Sequence, residues 1–232
     1  MAPVSQSPRG TAGQISPEPV VRVGRRVVLG MVALGAAGLA LGRNLNPFTW
    51  IDGLGASVGA ANDLGFRIYT VNGIPTFDPV TWRLQVDGLV ENPMQLSYDE
   101  LTKLPKTEQK SSFHCVTGWV VPNLTWSGVL MTDLFSQVKP LPNATHITLY
   151  SSDGQYTDSL TIGQASKPDV MLAWNMNGAP LPEPQGKPIR LIIPEMYGYK
   201  NIKWVNRIEF TTQSIAGYWE VRGYPIDAYI KQ

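Results

Sequence analysis

The chain is poor in the residue types that build redox centres and metal cages. It has one cysteine and two histidines among 232 residues, with no CxxC or HExxH motif and no glycine-rich dinucleotide fingerprint. One cysteine cannot form an internal disulfide, attach a haem through CxxCH or supply the cysteine set of an iron–sulfur cluster. A metal cage built wholly from this chain is therefore excluded, and the sequence offers no electron relay of its own.

Charge is also scarce and evenly balanced. Charged residues make up 16% of the chain, and the formal net charge is +1. No arginine-rich stripe or zinc-finger spacing occurs, so nucleic acid is excluded as a partner. The hydrophobic share of 43% suffices for one substantial core. The 22 glycines and 19 prolines between short apolar runs indicate a turn-rich chain made mainly of strands.

A long apolar run is missing near the N-terminus, although a shorter one is present. Arg25 and Arg26 precede an uncharged stretch at residues 27–42, shorter than the roughly 20 residues that span a bilayer. This order is typical of an export signal, and the paired arginines indicate the twin-arginine route. The alternative is an uncleaved anchor that attaches the protein to the membrane.

Composition divides the chain at about residue 60. Residues 1–21 are rich in proline, serine and glycine, as in a disordered leader. We expect residues 1–60 to hold this leader, the signal or anchor and a linker, and residues 61–232 to form one folded domain. Export places that domain beyond the cytoplasmic membrane, in the periplasm or an equivalent compartment.

The folded part is predicted to consist mainly of strands. Alternation in residues 81–90 (TWRLQVDGLV) predicts a half-buried strand, and residues 146–162 (HITLYSSDGQYTDSLTI) predict a hairpin about a Ser-Asp-Gly turn. Further strands are predicted at DVMLAWNMNG, PIRLII and WVNRIEF. Because strands and helices do not alternate, the predicted fold class is α+β, mostly β, with mixed sheets.

Two short helices are predicted as well. Ser97 and Glu100 have the spacing of a capping box, in which each side chain bonds the other residue's backbone N–H, and Pro105 ends this helix. The stretch TDLFSQV predicts the second helix, with Thr132 as its cap.

Three roles compete for Cys115 on the sequence alone. It can be a small buried hydrophobe, a nucleophile paired with His114 or His146, or a metal ligand. His114 is a poor base for Cys115, because adjacent residues on an extended strand point to opposite faces. A metal could be held only if it arrived with most of its own ligands.

A downstream stretch, QGKPIRLIIPEMYGYKNIKW, favours the third role. An apolar strand at residues 189–193 is followed by a loop that carries glycine, tyrosines, Lys200 and Lys203, and Arg190 lies within the strand. Glycine permits close backbone approach, aromatic rings stack on flat ligands, and Lys and Arg neutralise phosphate. The alternative to a phosphate site is that these basic residues are simply solvated near the end of a strand.

Five ordered motifs carry a family resemblance: FHCVTGWVVPNLTWSGVLMTDLF, SSDGQYTDSLTI, MLAWNMNGAPLP, GKPIRLIIPEMYGYKNIKWVNRIEF and GYWEVRGY. Over residues 66–224 the chain resembles the molybdopterin-binding domain of the sulfite oxidase family. Within that family it is similar to bacterial sulfite-oxidase-like members and to the periplasmic protein-methionine-sulfoxide reductase. The resemblance implies a molybdenum cofactor, molybdopterin, and an oxidoreductase activity.

The resemblance also implies roles for particular residues. Cys115 matches the cysteine that binds molybdenum together with the pterin dithiolene and oxygen, and Tyr156 corresponds to the active-site tyrosine of sulfite-oxidising members. Eight further positions match cofactor-binding positions of the family: Tyr69, Thr70, Ser151, Gln185, Arg190, Asn201, Ile202 and Lys203. Trp119 and Trp204 are expected to line the same site.

Two departures from the family pattern bear on the substrate. Sulfite-oxidising members carry one arginine shortly after the ligand cysteine and another in the first loop, whereas this chain has CVTGWVV and IYTVNG there. We therefore expect oxygen-atom transfer on a small sulfur-containing or related substrate, with reduction of sulfoxides, including protein methionine sulfoxide, as the alternative to sulfite oxidation. A separate cytochrome or membrane haem protein is expected to exchange electrons. The alternative from another class is a non-catalytic envelope module with this fold.

Overall fold

A computed structural model describes residues 65–231 and the short strand β1 (Ser57–Val58), which pairs antiparallel with β2 (Tyr69–Thr70). The predicted leader and the signal or anchor at residues 22–43 lie outside the described residues. The predicted domain boundary at residue 61 stays a prediction. Within the part of the chain that is described, no helix is long and apolar enough to cross a membrane.

The first sheet is mixed and has five strands. Its spatial order is β4 (Met94–Ser97), β3 (Arg83–Gly88), β12 (Val205–Thr211), β7 (His146–Ser151) and β8 (Thr157–Thr161). The β3–β12 pair is parallel and the other pairs are antiparallel. The sequence predicts β3, β12 and the β7–β8 hairpin, and all three are confirmed.

The second sheet is antiparallel. It contains β5 (Thr107–His114), β6 (Val120–Leu130), β9 (Met171–Met176), β10 (Ala179–Pro180) and β11 (Arg190–Ile192). Strand β9 pairs with β6 on one side and with both β10 and β11 on its other side. The strands predicted at DVMLAWNMNG and PIRLII are therefore confirmed.

Helices are few and short: α1 (Tyr98–Leu101), α2 (Met131–Val138), α3 (Ile162–Ala165) and 3₁₀ turns at Glu183–Gln185 and Glu220–Arg222. The Ser97–Glu100 capping box is present, with Ser97 N donating to Glu100 Oε2 at 2.8 Å. The prediction that Thr132 caps α2 is wrong. The helix begins one residue earlier, after Leu130 in an extended conformation, and no side chain caps it.

The core lies on both faces of the second sheet. Leu172 and Trp174 of β9 belong to the large cluster between the two sheets, together with Leu84 of the first sheet. Met171 and Ala173, which alternate with them, belong to a smaller cluster that includes Phe66. Because successive side chains of a strand point to opposite faces, β9 is buried on both sides and its sequence is almost continuously apolar. The prediction of a mostly β fold with few helices is confirmed for the described residues.

Candidate active site

One cavity opens where several strands end, and 25 described residues line it. Cys115 follows the end of β5, Ser151 ends β7, and Arg190 begins β11. All ten residues that the sequence assigns to the site line this cavity: Tyr69, Thr70, Cys115, Ser151, Tyr156, Gln185, Arg190, Asn201, Ile202 and Lys203. Trp119 and Trp204 line it as well. The structure thus brings the predicted residues together, while their individual roles stay predictions.

Cys115 lies in the turn between β5 and β6. The turn is held by hydrogen bonds from Cys115 N to Trp119 O at 2.9 Å and from Gly118 N to Cys115 O at 3.0 Å. Gly118 has φ +94°, a conformation that residues with a Cβ rarely adopt. The thiol Sγ lies 3.1 Å from Thr117 Oγ1. The turn therefore presents the sulfur at the cavity wall beside one hydroxyl group.

The surroundings of the thiol oppose its ionisation when no cation is near. Burial raises the pKa of the Cys115 thiol, although the hydrogen bond from Thr117 and the positive charge of Arg67 act in the other direction. A bound metal ion would displace the thiol proton, because a coordinating thiol is deprotonated outright. The site suits a metal ligand better than a free nucleophile.

No histidine is positioned to activate Cys115. Both histidines lie in the described residues, His114 at the end of β5 and His146 at the start of β7, and neither lines the cavity. The His146 ring Nδ1 is 2.8 Å from Thr145 Oγ1. The nucleophile alternative therefore lacks a base. Among the described residues, no group of three or more His, Cys, Asp and Glu is arranged to hold a metal ion.

Two cations, the buried Arg190 and the partly buried Lys203, lie in the cavity wall. Arg190 is 2% exposed and donates from Nη1 to Gln185 O at 3.1 Å and from Nη2 to Asn201 O at 3.0 Å. Lys203 Nζ donates to Tyr69 O at 2.9 Å and to Pro184 O at 3.0 Å. Neither cation is within ion-pair distance of a carboxylate in the described part of the chain.

The electrostatics of this cation pair call for an anion. Burial lowers the pKa of Arg190 to about 9, and burial together with the charge of Arg190 lowers the pKa of Lys203 to about 7, with Asp153 opposing the change. Buried charges in native proteins are normally paired. A phosphate between Arg190 and Lys203 would supply the missing charge and two or more acceptors.

Several buried polar atoms in the cavity wall also lack a partner among the described residues. They are Tyr69 Oη, Trp119 Nε1, Gln185 Nε2 and Arg190 Nε. Most buried polar groups in proteins are hydrogen-bonded, so a cluster of unpartnered donors around one cavity indicates a polar ligand. A pterin with its phosphate has acceptors along its whole length, and these donors match it.

Two glycines allow close packing in and beside the cavity wall. A Cβ on Gly198 would lie 2.4 Å from Phe113 Cζ, and a Cβ on Gly186 would lie 3.0 Å from Arg190 Cβ and 3.2 Å from Lys203 Cβ. Gly186 also has φ +114°. Both glycines thus let the backbone pack closely against residues that line the cavity.

Gly198→Ala is expected to destabilise the chain by about 1–3 kcal/mol, because the added methyl overlaps the Phe113 ring, which also contacts the Arg190 guanidinium. Urea unfolding and molybdenum content after expression measure the effect, and both should fall. Gly163→Ala is the matched control, since its nearest neighbour to a Cβ is Thr161 Oγ1 at 3.9 Å. Equal stability of the two variants would contradict this packing.

Some predicted site residues form hydrogen bonds to other groups of the protein. The Asn201 side chain accepts from Ile193 N at 2.7 Å and donates to the carbonyls of Met196 and Tyr197, so it shapes the loop. The Tyr156 hydroxyl donates to Tyr199 O at 2.7 Å, and its proton is therefore engaged away from a ligand. Burial raises the pKa of Tyr156 well above its usual value.

Sequence reasoning missed three features of the site. Arg67, just before the first-loop stretch IYTVNG, lines the cavity, and its charge acts on Cys115. Tyr224, in the quoted motif GYWEVRGY, lines it too, and burial followed by the charge of Cys115 raises its pKa. Lys200, expected beside a phosphate, instead binds Asp158 and Glu220 in the interior. Arg67 adjoins one quoted motif and Tyr224 ends another, so both could have been found from the sequence. No local pattern indicates that Lys200 turns inward.

A cavity that combines a lone thiol with two cations lacking carboxylate partners among the described residues is suited to a domain that binds an anionic, metal-containing cofactor. The chain belongs to the family described as the oxidoreductase molybdopterin binding domain, whose model matches residues 71–219. The predicted family, the enzyme class and the molybdenum cofactor are thereby confirmed, and the alternative of a non-catalytic module is not supported.

The chain is similar to several curated oxidoreductases. It is 34% identical over 160 residues to the uncharacterized oxidoreductase YuiH of Bacillus subtilis, covering 68% of this chain and 80% of that one. It is 31% identical over 163 residues to the protein-methionine-sulfoxide reductase catalytic subunit MsrP of Gluconobacter oxydans, covering 62% of this chain and 51% of the relative. The chain thus spans most of the first relative and about half of the second.

The fold is shared with the sulfane dehydrogenase SoxCD of Paracoccus pantotrophus. The TM-score is 0.62 at 21% identity, with 69% of this chain and 46% of that chain covered. At this identity the likeness concerns the fold alone.

Proposed function

We propose that this protein is an exported molybdenum-cofactor oxidoreductase that transfers an oxygen atom to or from a small sulfur-containing substrate. The observation that carries the proposal is the cavity itself, which combines a lone thiol with the buried Arg190 and the partly buried Lys203, neither of which pairs with a carboxylate of the described residues. Those two features match the metal end and the phosphate end of one elongated cofactor.

The residues present fit this cofactor. Arg190 and Lys203 would hold the phosphate, the unpartnered donors of Tyr69, Gln185 and Trp119 would bond the pterin, and Cys115 would bind molybdenum. When bound, the cofactor supplies oxygen-atom exchange coupled to a two-electron change at the metal. The protein positions it and controls access of substrate and water.

The residues around Cys115 would orient the substrate. Thr117 can donate its hydroxyl hydrogen to the thiolate sulfur, 3.1 Å away, and so keep the sulfur in one orientation. Arg67 gives this end of the cavity a positive charge. The resemblance assigns the active-site tyrosine to Tyr156, but its proton is engaged with Tyr199 O, so we assign hydrogen bonding to the substrate oxygen to Tyr224.

Electrons must come from or go to a separate protein. The sequence has no motif for a haem, an iron–sulfur cluster or a dinucleotide, so we propose a cytochrome or a membrane haem protein as the redox partner. We propose export by the twin-arginine pathway, because Arg25 and Arg26 precede an apolar stretch. A receptor recognises such a signal.

Reduction of S-oxides, including protein methionine sulfoxide, is the second candidate for the reaction. The similarity to proteins named as methionine-sulfoxide reductase subunits favours it. In this direction the substrate oxygen leaves as water, which consumes two electrons from the partner and two protons.

Assay of both directions with the purified, cofactor-loaded protein decides between the candidates. Sulfoxide-dependent oxidation of a reduced dye is expected for the reductase, and sulfite-dependent reduction of a cytochrome is expected for the oxidase. Protein from a molybdenum-replete host that contains neither molybdenum nor a fluorescent pterin after denaturation would refute the proposed function altogether.

A further inference from the structure

A buried ionic cluster lies directly behind the cavity wall. Lys200 Nζ is 2.6 Å from Asp158 Oδ1 and also contacts Glu220 Oε1, and all three side chains are 2% exposed. Lys200 Nζ donates in addition to Ser159 O at 3.1 Å. None of the three lines the cavity, so the cofactor does not account for them.

This cluster is poorly suited to stabilise the fold. Two carboxylates share one ammonium group, and burial raises the pKa of Asp158 even though Lys200 opposes the change. Asp158 Oδ2 is buried without a partner among the described residues. Desolvation can outweigh the attraction in such clusters, so a buried ion pair is weak evidence for stability. Its geometry is the better guide to its role.

The cluster fastens a particular piece of chain, residues 217–225, which we call the cap segment. Glu220 accepts a hydrogen bond from Gly217 N at 2.9 Å through its second oxygen. A Cβ on Gly217 would lie 2.5 Å from Asp158 Cγ, so the segment rests directly on that carboxylate. Tyr218 N donates to Thr157 O at 3.0 Å beside it.

The cap segment supplies two aromatic residues, Trp219 and Tyr224, to the cavity. Their rings are 5.3 Å apart, and Tyr224 lies 5.4 Å from the Tyr199 ring. The Tyr199 hydroxyl donates to Pro225 O at 2.8 Å. Tyr199 immediately precedes Lys200, so two consecutive residues contact the cap segment, Tyr199 at Pro225 and Lys200 at Glu220.

We infer that Lys200, through Asp158 and Glu220, is a positioning residue that sets Tyr224 against Cys115. Lys200 belongs to the loop that also carries Asn201 and Lys203, so the same ammonium group ties the cofactor-binding loop to the segment that faces the substrate. The inference rests on the proposed function, because Tyr224 matters only if chemistry occurs at Cys115.

The test uses Glu220→Gln in the full-length, cofactor-loaded protein. Lys200 keeps its pair with Asp158, and the glutamine oxygen can still accept from Gly217 N; the amide NH2 then faces the Lys200 ammonium in place of a carboxylate oxygen, which weakens the clamp. We expect kcat to fall by about tenfold to a hundredfold, as for a small displacement of a catalytic group, with molybdenum content unchanged. An unchanged kcat would overturn the inference.

Glu195→Gln is the matched control. The Glu195 carboxylate is likewise paired with a lysine, Lys167, but its side chain is half exposed and has no hydrogen bond or ion pair with the cap segment. We expect its kcat to equal that of the wild type. Glu220→Asp keeps a carboxylate near Lys200 and is expected to recover part of the lost rate.

A double-mutant cycle separates positioning from a merely structural role. If the cluster acts through Tyr224, Glu220→Gln should lower kcat little further when Tyr224→Phe is already present. Equal factors in the two backgrounds would show that the cluster acts elsewhere and would overturn the inference.

Hydrogen exchange of the cap segment provides a readout that needs no molybdenum. In the full-length chain, amides of residues 217–225 should exchange faster in Glu220→Gln than in the wild type or Glu195→Gln. Equal exchange in all three would refute the clamp whatever the cofactor content. A protein that lacks molybdenum but shows the expected exchange would instead refute the proposed function.

Discussion

Cys115→Ser is expected to lower the oxygen-atom-transfer activity more than about a hundredfold while the chain remains folded. Changes to groups that only support a metal ligand typically cost 10–100-fold, and loss of the ligand itself should exceed that. Serine is close in size to cysteine, but its hydroxyl does not ionise near neutral pH, and its oxygen is a hard donor where a soft thiolate is needed. Steady-state kinetics normalised to bound molybdenum measure the effect.

The same substitution should barely change stability. Cys115 is partly exposed in a turn, and substitutions at such positions usually change the free energy of unfolding by less than about 0.5 kcal/mol. Circular dichroism and urea unfolding provide the control. An active, molybdenum-loaded Cys115→Ser protein would remove the ligand assignment.

Lys203→Met is expected to abolish cofactor retention and to remove a pH dependence from the cofactor-free chain. Burial lowers the pKa of Lys203 to about 7, whereas an unfolded chain has a lysine pKa near 10.5. Between these values the unfolded state binds more protons than the folded state, so the free energy of unfolding contributed by Lys203 rises with pH. Below about pH 7 both states are protonated, and this contribution is flat.

Urea unfolding of the cofactor-free protein from pH 6 to pH 9 should therefore show a rise above about pH 7 in the wild type and no such rise in Lys203→Met. Lys139→Met, at a side chain that is 61% exposed, is the matched control and should retain the rise. The cofactor-loaded wild type should not show this rise in stability with pH, because a bound phosphate keeps Lys203 protonated. The account of this cation fails if the wild type and Lys203→Met have the same pH dependence.

Local sequence signals predicted the elements that local interactions determine. The Ser-Asp-Gly turn marked the β7–β8 hairpin, and the Ser97–Glu100 spacing marked α1, because both depend on neighbouring residues. Thr132 failed as a cap because an extended Leu130 allows α2 to start one residue before it. The parallel pairing of β3 with β12 joins residues about 120 positions apart, and no local pattern encodes it.

The site was predicted where a motif carried its residues, and incompletely elsewhere. Arg190 and Lys203 were identified from one stretch, and both are in the cavity wall. Lys200 lies in the same stretch but turns inward, because Asp158 and Glu220, distant in sequence, approach it only in the folded chain. Tyr224 was overlooked because it reaches the cavity of Cys115 only in the folded chain, about 110 positions further along the sequence.

Molybdenum X-ray absorption of the purified wild type and Cys115→Ser proteins tests the thiolate assignment most directly. We predict that the metal in the wild type has one more sulfur neighbour than the metal in the variant, with oxygen in its place in the variant. The same number of sulfur neighbours in both proteins would show that Cys115 does not bind the metal.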